Sequence, residues 1–220
     1  MRRPAATAIV LLFAIFLFAV IFTAGCGNKE SGQGGGAGDG SQGRTDSTDA
    51  GSQARTDGAA MTGFTLTSKD FTDGGELPRT RACASQGGDN ESPALAWSGA
   101  PAETARYALV VDDEDPPCGS GDGACRHWSV FDLPAGVTSL KAGQDILQIA
   151  GASEGVNYLG QTGYAGPCPP SRHTYNFTVY ALGRGMPEAG PGAALNRSQF
   201  ESLYGSHILG SATIRATFSP

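Results

Sequence analysis

From Gly160 to Pro170 the chain reads Gly160-Gln161-Thr162-Gly163-Tyr164-Ala165-Gly166-Pro167-Cys168-Pro169-Pro170, where six of eleven residues are glycine or proline. Such a run cannot hold a helix or a central strand; it forms a rigid irregular loop whose backbone N–H groups are free to point at a ligand. Directly after it, Tyr175, Phe177, Val179 and Ala181 alternate with Asn176, Thr178, Tyr180 and Leu182, the period-2 pattern of a strand. The same punctuation recurs along the chain, which carries 33 glycines and 13 prolines. Tyr107 to Val111 is a short apolar run ended by acids and prolines, and His127–Leu133, Phe64–Thr67 and Thr213–Phe218 are further strand candidates. One helix is expected, with Asn196 as N-cap, Gln199 at its third position, Phe200 and Leu203 on one face and Gly205 as stop. Strands divided by Gly/Pro/Ser turns, without regular βαβ alternation, indicate a mainly β, antiparallel sandwich or barrel.

The N-terminal part reads differently. Arg2 and Arg3 precede an uncharged stretch that is almost wholly apolar from Ile9 to Phe22, the pattern of an export signal. Thr23-Ala24-Gly25-Cys26 resembles the lipobox of bacterial lipoproteins, which makes Cys26 the lipidation residue and residues 1–26 the leader. An uncleaved membrane anchor is the alternative. Residues 27–60 hold ten glycines and no Leu, Ile, Val, Phe, Tyr or Trp, too little apolar surface to offset the entropy of ordering, and read as a linker. Residues 61–220 remain for a single folded domain outside the cytoplasm. The 15 basic and 21 acidic residues give a net charge of −6, which speaks against nucleic acid as a partner.

With Cys26 set aside, the domain holds Cys83, Cys118, Cys125 and Cys168. An even number in an exported domain suggests two disulfides with three possible pairings. Cys118 and Cys125 bracket a flexible Gly/Ser loop able to close, which leaves Cys83 with Cys168. Functional side chains concentrate in three places: Asp112-Asp113-Glu114-Asp115-Pro116-Pro117, Arg126-His127-Trp128, and the Gly/Pro loop with the Ser171-Arg172-His173-Thr174-Tyr175 that follows. An imidazole held by a carboxylate keeps one tautomer and gains a proton more readily. Two such rings with backbone N–H groups would make a small anion site. Metal ligand spacings and a Gly-x-Ser-x-Gly elbow are both missing from the sequence, so neither a metal, another cofactor nor a nucleophilic enzyme is expected. Trp97, Trp128 and Phe177 read as core aromatics.

These stretches, in this order, resemble the phosphatidylethanolamine-binding protein family in its bacterial, Raf-kinase-inhibitor-like branch. Residues Asn90 to Pro101 are similar to N-x-S-P-x-L-x-W-x-G-x-P, and Asp113 to Pro117 to D-P-D-A-P with Glu114 and Pro116 as departures. His127-Trp128 resembles the family's histidine-aromatic step, Gly160 to Pro170 its G-x-x-G-Y-x-G-P-x-P-P, and His173-Thr174-Tyr175 its H-x-Y. The resemblance implies a Greek-key β-sandwich with a small surface pocket for phosphate-like anions, including phospholipid head groups, the ligand being phosphate or phosphoethanolamine-like. Its lining here would be Asp113, Asp115, Pro117, His127, Gly163, Tyr164, His173 and Tyr175. Asp113 would orient a histidine, His127 and His173 would face the anion, and Tyr175 would add a hydroxyl donor. The reading that results is a non-catalytic, lipid-anchored binding protein, held to the membrane through its N-terminal lipid and with no protein partner identified. A protein-interaction module, such as a peptidase inhibitor, and a hydrolase using His173 and Asp113 are the rival readings.

Overall fold

The computed structural model describes residues 63–220; the leader, Cys26 and the linker lie outside the described residues. Nine strands and one α-helix follow in chain order: β1 (Thr65–Ser68), β2 (Gly75–Glu76), β3 (Leu95–Ser98), β4 (Arg106–Asp113), β5 (Cys125–Pro134), β6 (Ser139–Leu140), β7 (Ser153–Glu154), β8 (His173–Leu182), α1 (Arg197–Tyr204) and β9 (Ile208–Phe218). They form a three-stranded sheet in the order β1-β3-β6 and a six-stranded sheet in the order β2-β9-β8-β4-β5-β7. All five strands expected from the sequence are present. β8 sits beside β4, far from it in the chain, the non-sequential neighbour relation of a Greek-key connection. Every pairing is antiparallel except that of β2 with β9, a two-residue parallel contact.

The alternation in β8 separates two buried faces. Tyr175, Phe177, Val179 and Ala181 join the larger core with Trp97, Trp128 and Leu109. Tyr180 and Leu182 face a second cluster built on Phe200 of α1, Phe131 and Met186. Thus β8 is covered on both sides, and its polar-looking positions Thr178 and Asn176 are buried. Thr178 is satisfied by Thr213 at 2.8 Å. The three anticipated core aromatics, Trp97, Trp128 and Phe177, are all buried.

Helix α1 begins with the expected capping box: the Asn196 side chain accepts from the Gln199 N–H, and the Gln199 side chain accepts from the Asn196 N–H. Phe200 is buried, but Leu203 is 62 % exposed and does not share its face. Gly205 keeps a right-handed helical conformation and leads into a short 3-10 turn, where the sequence predicts a stop.

Both disulfides form, Cys83–Cys168 across 85 residues and Cys118–Cys125 across seven. The second closes the loop after β4, and that loop is bound to α1. Asn196 donates to the carbonyls of Gly121 and Ala124, Ser198 donates to Asp122, and Arg197 pairs with Glu114 at 3.1 Å. The acidic run is therefore not a solvated turn. Asp112 is buried and accepts from the Arg197 N–H and Nε and from Asn176. Burial nonetheless pushes its carboxyl above the usual range, and the Arg197 guanidinium only partly opposes this.

Candidate functional site

β4 pairs with β5 on one side and β8 on the other, so its last residue, Asp113, stands opposite Cys125 and Tyr175. His173, the first residue of β8, lies on the same side. It donates from Nδ1 to Asp113 Oδ2 at 2.7 Å. His127 arrives differently. The β4–β5 register pairs Val111 with Trp128 but Asp112 with Arg126, leaving His127 as the extra residue of a β-bulge. Bulges re-aim a side chain where regular pairing would turn it away, and His127 Nε2 comes within 4.0 Å of the same Asp113 oxygen. All three side chains are nearly inaccessible: Asp113 is 2 % exposed and each histidine 3 %.

The remaining hydrogen bonds fix their orientation. Asp113 Oδ1 accepts the Asp115 N–H at 2.8 Å, and Asp115 Oδ2 accepts the Thr174 N–H at 2.6 Å. His127 Nδ1 donates to the Ala165 carbonyl at 2.6 Å, while the Ala165 N–H donates back to the His127 carbonyl. A carbonyl only accepts, so Nδ1 carries the proton of the neutral ring and Nε2 is left with a lone pair. Burial lowers the His127 pKa from the usual histidine value, against the opposing influence of the Ala165 carbonyl and Asp113. His173 Nε2 is buried without a partner among the described residues.

These groups line a cavity of about 180 Å³ with Pro117, Cys118, Cys125, Tyr158, Cys168, Pro169, Pro170 and Tyr175. Tyr158 and Tyr175 pack against the His127 ring at centroid distances of 4.8 and 4.9 Å. Burial raises both phenol pKa values, so the hydroxyls stay protonated. Among the described residues neither lysine nor arginine lines the cavity.

Of the eight residues expected at the pocket, the structure brings together Asp113, Pro117, His127, His173 and Tyr175. Asp115 stands behind them as a brace. Gly163 and Tyr164 lie elsewhere, in a neighbouring cleft with Glu91, Trp128 and Glu154. The Tyr164 hydroxyl donates to the Arg81 carbonyl, and its ring meets Trp128 edge-on. The Gly/Pro loop also departs from expectation. The N–H groups of Gly163, Ala165 and Gly166 bond to Gly155, His127 and Asn90, and are not offered to a ligand. What the loop supplies is the Ala165 carbonyl that sets the His127 tautomer. Gly166 has to be glycine for this: a Cβ there would sit 2.4 Å from the Arg81 carbonyl oxygen. Sequence reasoning missed Tyr158, which lies between Gly155 and Gly160, outside the three polar stretches singled out above.

Asp113, Asp115 and His173 also place one ligand atom each within 4.8 Å of one another, as a metal site would. Both Asp113 oxygens, one Asp115 oxygen and His173 Nδ1 each make one of the hydrogen bonds above, and these bonds are what draw the three side chains together.

At one end of the six-stranded sheet, two imidazoles meet at one buried carboxylate in the wall of a small cavity, the build of a small-ligand binding protein. Residues 67–219 match the sequence model of the phosphatidylethanolamine-binding protein family. The chain belongs to that family. It is 37 % identical over 161 residues to YbhB of Escherichia coli, covering 70 % of this chain and 99 % of that protein. LppC of Mycobacterium tuberculosis, assigned by name to the lipoproteins, is 34 % identical over 184 residues, covering 82 % of this chain and 80 % of LppC. The crystal structure of E. coli YbcL superposes with a TM-score of 0.62 at 29 % identity, over 71 % of this chain and 98 % of YbcL.

Proposed function

We propose that this protein is a lipid-anchored extracytoplasmic binding protein that holds a small oxyanion, phosphate or a phosphate-bearing head group, without turning it over. The observation that carries the reading is the meeting of His127 and His173 at Asp113 in the wall of one cavity. A protonated imidazole offers a charge and a donor there, and the two phenols offer O–H donors. The non-catalytic character is supported by the wall itself: its cysteines are tied in disulfides, and its hydroxyls are phenols held away from ionisation. Membrane attachment through Cys26 is supported by the lipobox-like run and by the likeness to LppC.

Titration calorimetry of the full chain with inorganic phosphate between about pH 5 and about pH 8 is the direct test, a range that spans the ordinary histidine pKa. Binding is expected to strengthen as pH falls, because protonation turns an Nε2 lone pair into a donor. Affinity should be lost in His173→Ala. No heat at any pH, or equal affinity in the variant, would overturn the proposal. Mass spectrometry of the mature protein tests the anchor: an intact Met1 excludes processing at Cys26.

A further inference from the structure

The cleft lined by Gly163 and Tyr164 holds uncommitted polar groups and no cation of its own. The Gly/Pro loop serves two sites: Ala165 fixes His127 of the histidine cavity, while Gly163 and Tyr164 belong to the cleft. Half-buried Glu154 accepts the Trp128 indole N–H on Oε1 at 2.8 Å, which leaves its Oε2 without a hydrogen bond among the described residues. A Cβ on Gly163 would stand 3.4 Å from that oxygen, so glycine keeps the approach to it open. Glu91 also lines the cleft. Its Oε2 meets Arg81 at 2.9 Å, and Arg81 is shared with Asp70 at 3.3 Å. One guanidinium therefore answers two carboxylates, and Glu154 pairs with no lysine, arginine or histidine among the described residues. A separate observation points the same way. Ser92 is 4 % exposed and lines the cleft, and its hydroxyl makes no hydrogen bond among the described residues. Buried hydroxyls are seldom left without a partner.

We propose that this cleft is a second binding site, for an alkylammonium group: the head of a free primary amine or the end of a lysine side chain. The proposal stands apart from the oxyanion reading, since none of the residues it uses lines the histidine cavity. An alkylammonium brings what the cleft lacks, a positive charge and three N–H donors, to a carboxylate oxygen and a hydroxyl that are otherwise unanswered. Its carbon stem suits the rings of Trp128 and Tyr164, which meet edge-on beside the carboxylate. The cleft encloses about 290 Å³, room for an amine together with its stem. A bare metal ion fits less well: among the described residues the three-group cluster that could hold one is Asp113, Asp115 and His173, not these side chains. Anions are disfavoured by the surplus of carboxylate over guanidinium charge.

The chain holds two tryptophans, Trp97 and Trp128, and Trp128 alone lines the cleft. Its indole N–H, bound to Glu154, therefore reports the site in proton–nitrogen NMR of the full chain. The probes are n-butylammonium chloride, the methylamide of Nα-acetyl-lysine, butan-1-ol and sodium butyrate, at matched ionic strength and about pH 7, where an alkylamine is charged. Both ammonium probes are expected to move the Trp128 signal and not that of Trp97, with half-saturation on the order of 1–10 mM. The tighter of the two tells whether the site is shaped for a free amine or for a lysine side chain. The alcohol and the carboxylate, which share the stem but lack the charge, should leave the signal in place. Glu154→Gln keeps an oxygen for the indole and removes the negative charge, and half-saturation should rise at least about tenfold. Butan-1-ol acting as strongly as butylammonium, a rise of less than about threefold in Glu154→Gln, or a Trp128 signal that neither ammonium probe moves would each overturn the proposal. None of these outcomes bears on phosphate binding at the histidine cavity.

Discussion

Replacing Asp113 by asparagine removes one charge and changes almost no volume, which makes it a clean probe of how the site is held. Two donors converge on this carboxylate, the Asp115 N–H at 2.8 Å and His173 Nδ1 at 2.7 Å, one to each oxygen. An amide has a single oxygen. Whichever way the substituted side chain turns, one buried donor meets its NH₂ group. Leaving that donor unsatisfied costs about 1–3 kcal/mol, and the surviving bond loses its charge assistance. Together these give ~2–4 kcal/mol of lost stability. Asp115→Asn is the control: its carboxylate is half-buried and accepts one backbone N–H, from Thr174, which an amide oxygen serves equally well. The control should cost less than about 1 kcal/mol. Urea denaturation of wild type and both variants measures the difference. Nitrogen-15 NMR of the imidazoles adds a readout that general destabilisation does not move, since only Asp113→Asn should release the His173 Nδ1–H tautomer. If the two variants are equally stable, Asp113 is not the post to which His173 is fixed.

Three further outcomes are expected. In the chain-entropy account, losing the Cys83–Cys168 bridge, with its 85-residue separation, costs about 4.5 kcal/mol, and losing Cys118–Cys125, with a separation of seven, costs about 2.4 kcal/mol; paired Cys→Ala variants in urea should fall in that order, and the reverse order would show that the rim loop carries more of the fold than its length allows. Because burial lowers the His127 pKa, the unfolded chain binds more protons below the ordinary value of about 6.5, so this residue makes stability fall as pH drops through that window, by up to ~1.4 kcal/mol per pH unit; His127→Gln should flatten the slope in denaturation at several pH values, and an unchanged slope would refute the assignment. Tyr164→Phe loses the bond to the Arg81 carbonyl and should cost about 1 kcal/mol with phosphate affinity unchanged; a weakened affinity would place Tyr164 at the pocket after all.

Much of the architecture is legible because local chemistry agrees with the final packing. The alternation of β8, the Asn196/Gln199 box and the Cys118–Cys125 loop each depend on neighbours within ten residues. What escaped depends on partners far away. His127 reaches Asp113 through a bulge that exists only once β5 is registered on β4. Tyr164 turns to Arg81, more than eighty residues upstream, so adjacency to Gly163 says nothing about which cleft it enters. The loop's N–H groups look available in the sequence until Gly155, His127 and Asn90 are in place to accept them. Glu114, an acid in a motif that elsewhere has proline, is drawn off by Arg197 and by the Gly121 N–H. Leu203 follows helical spacing yet faces water, because the helix turns Phe200 and Tyr204 to the second cluster, already filled by Phe131 and Met186.

Burial of β8 on both of its faces has a bearing on ligand capture. His173 is the first residue of the strand that is clamped most completely, and a segment held from two sides has little room to drift or twist. On the reading proposed above, its ring would already be still when a guest arrives, with little motional freedom left to surrender on contact. On that same reading, guests of different bulk would be accommodated at the exposed Pro117 and Pro170 on the rim of the same cavity.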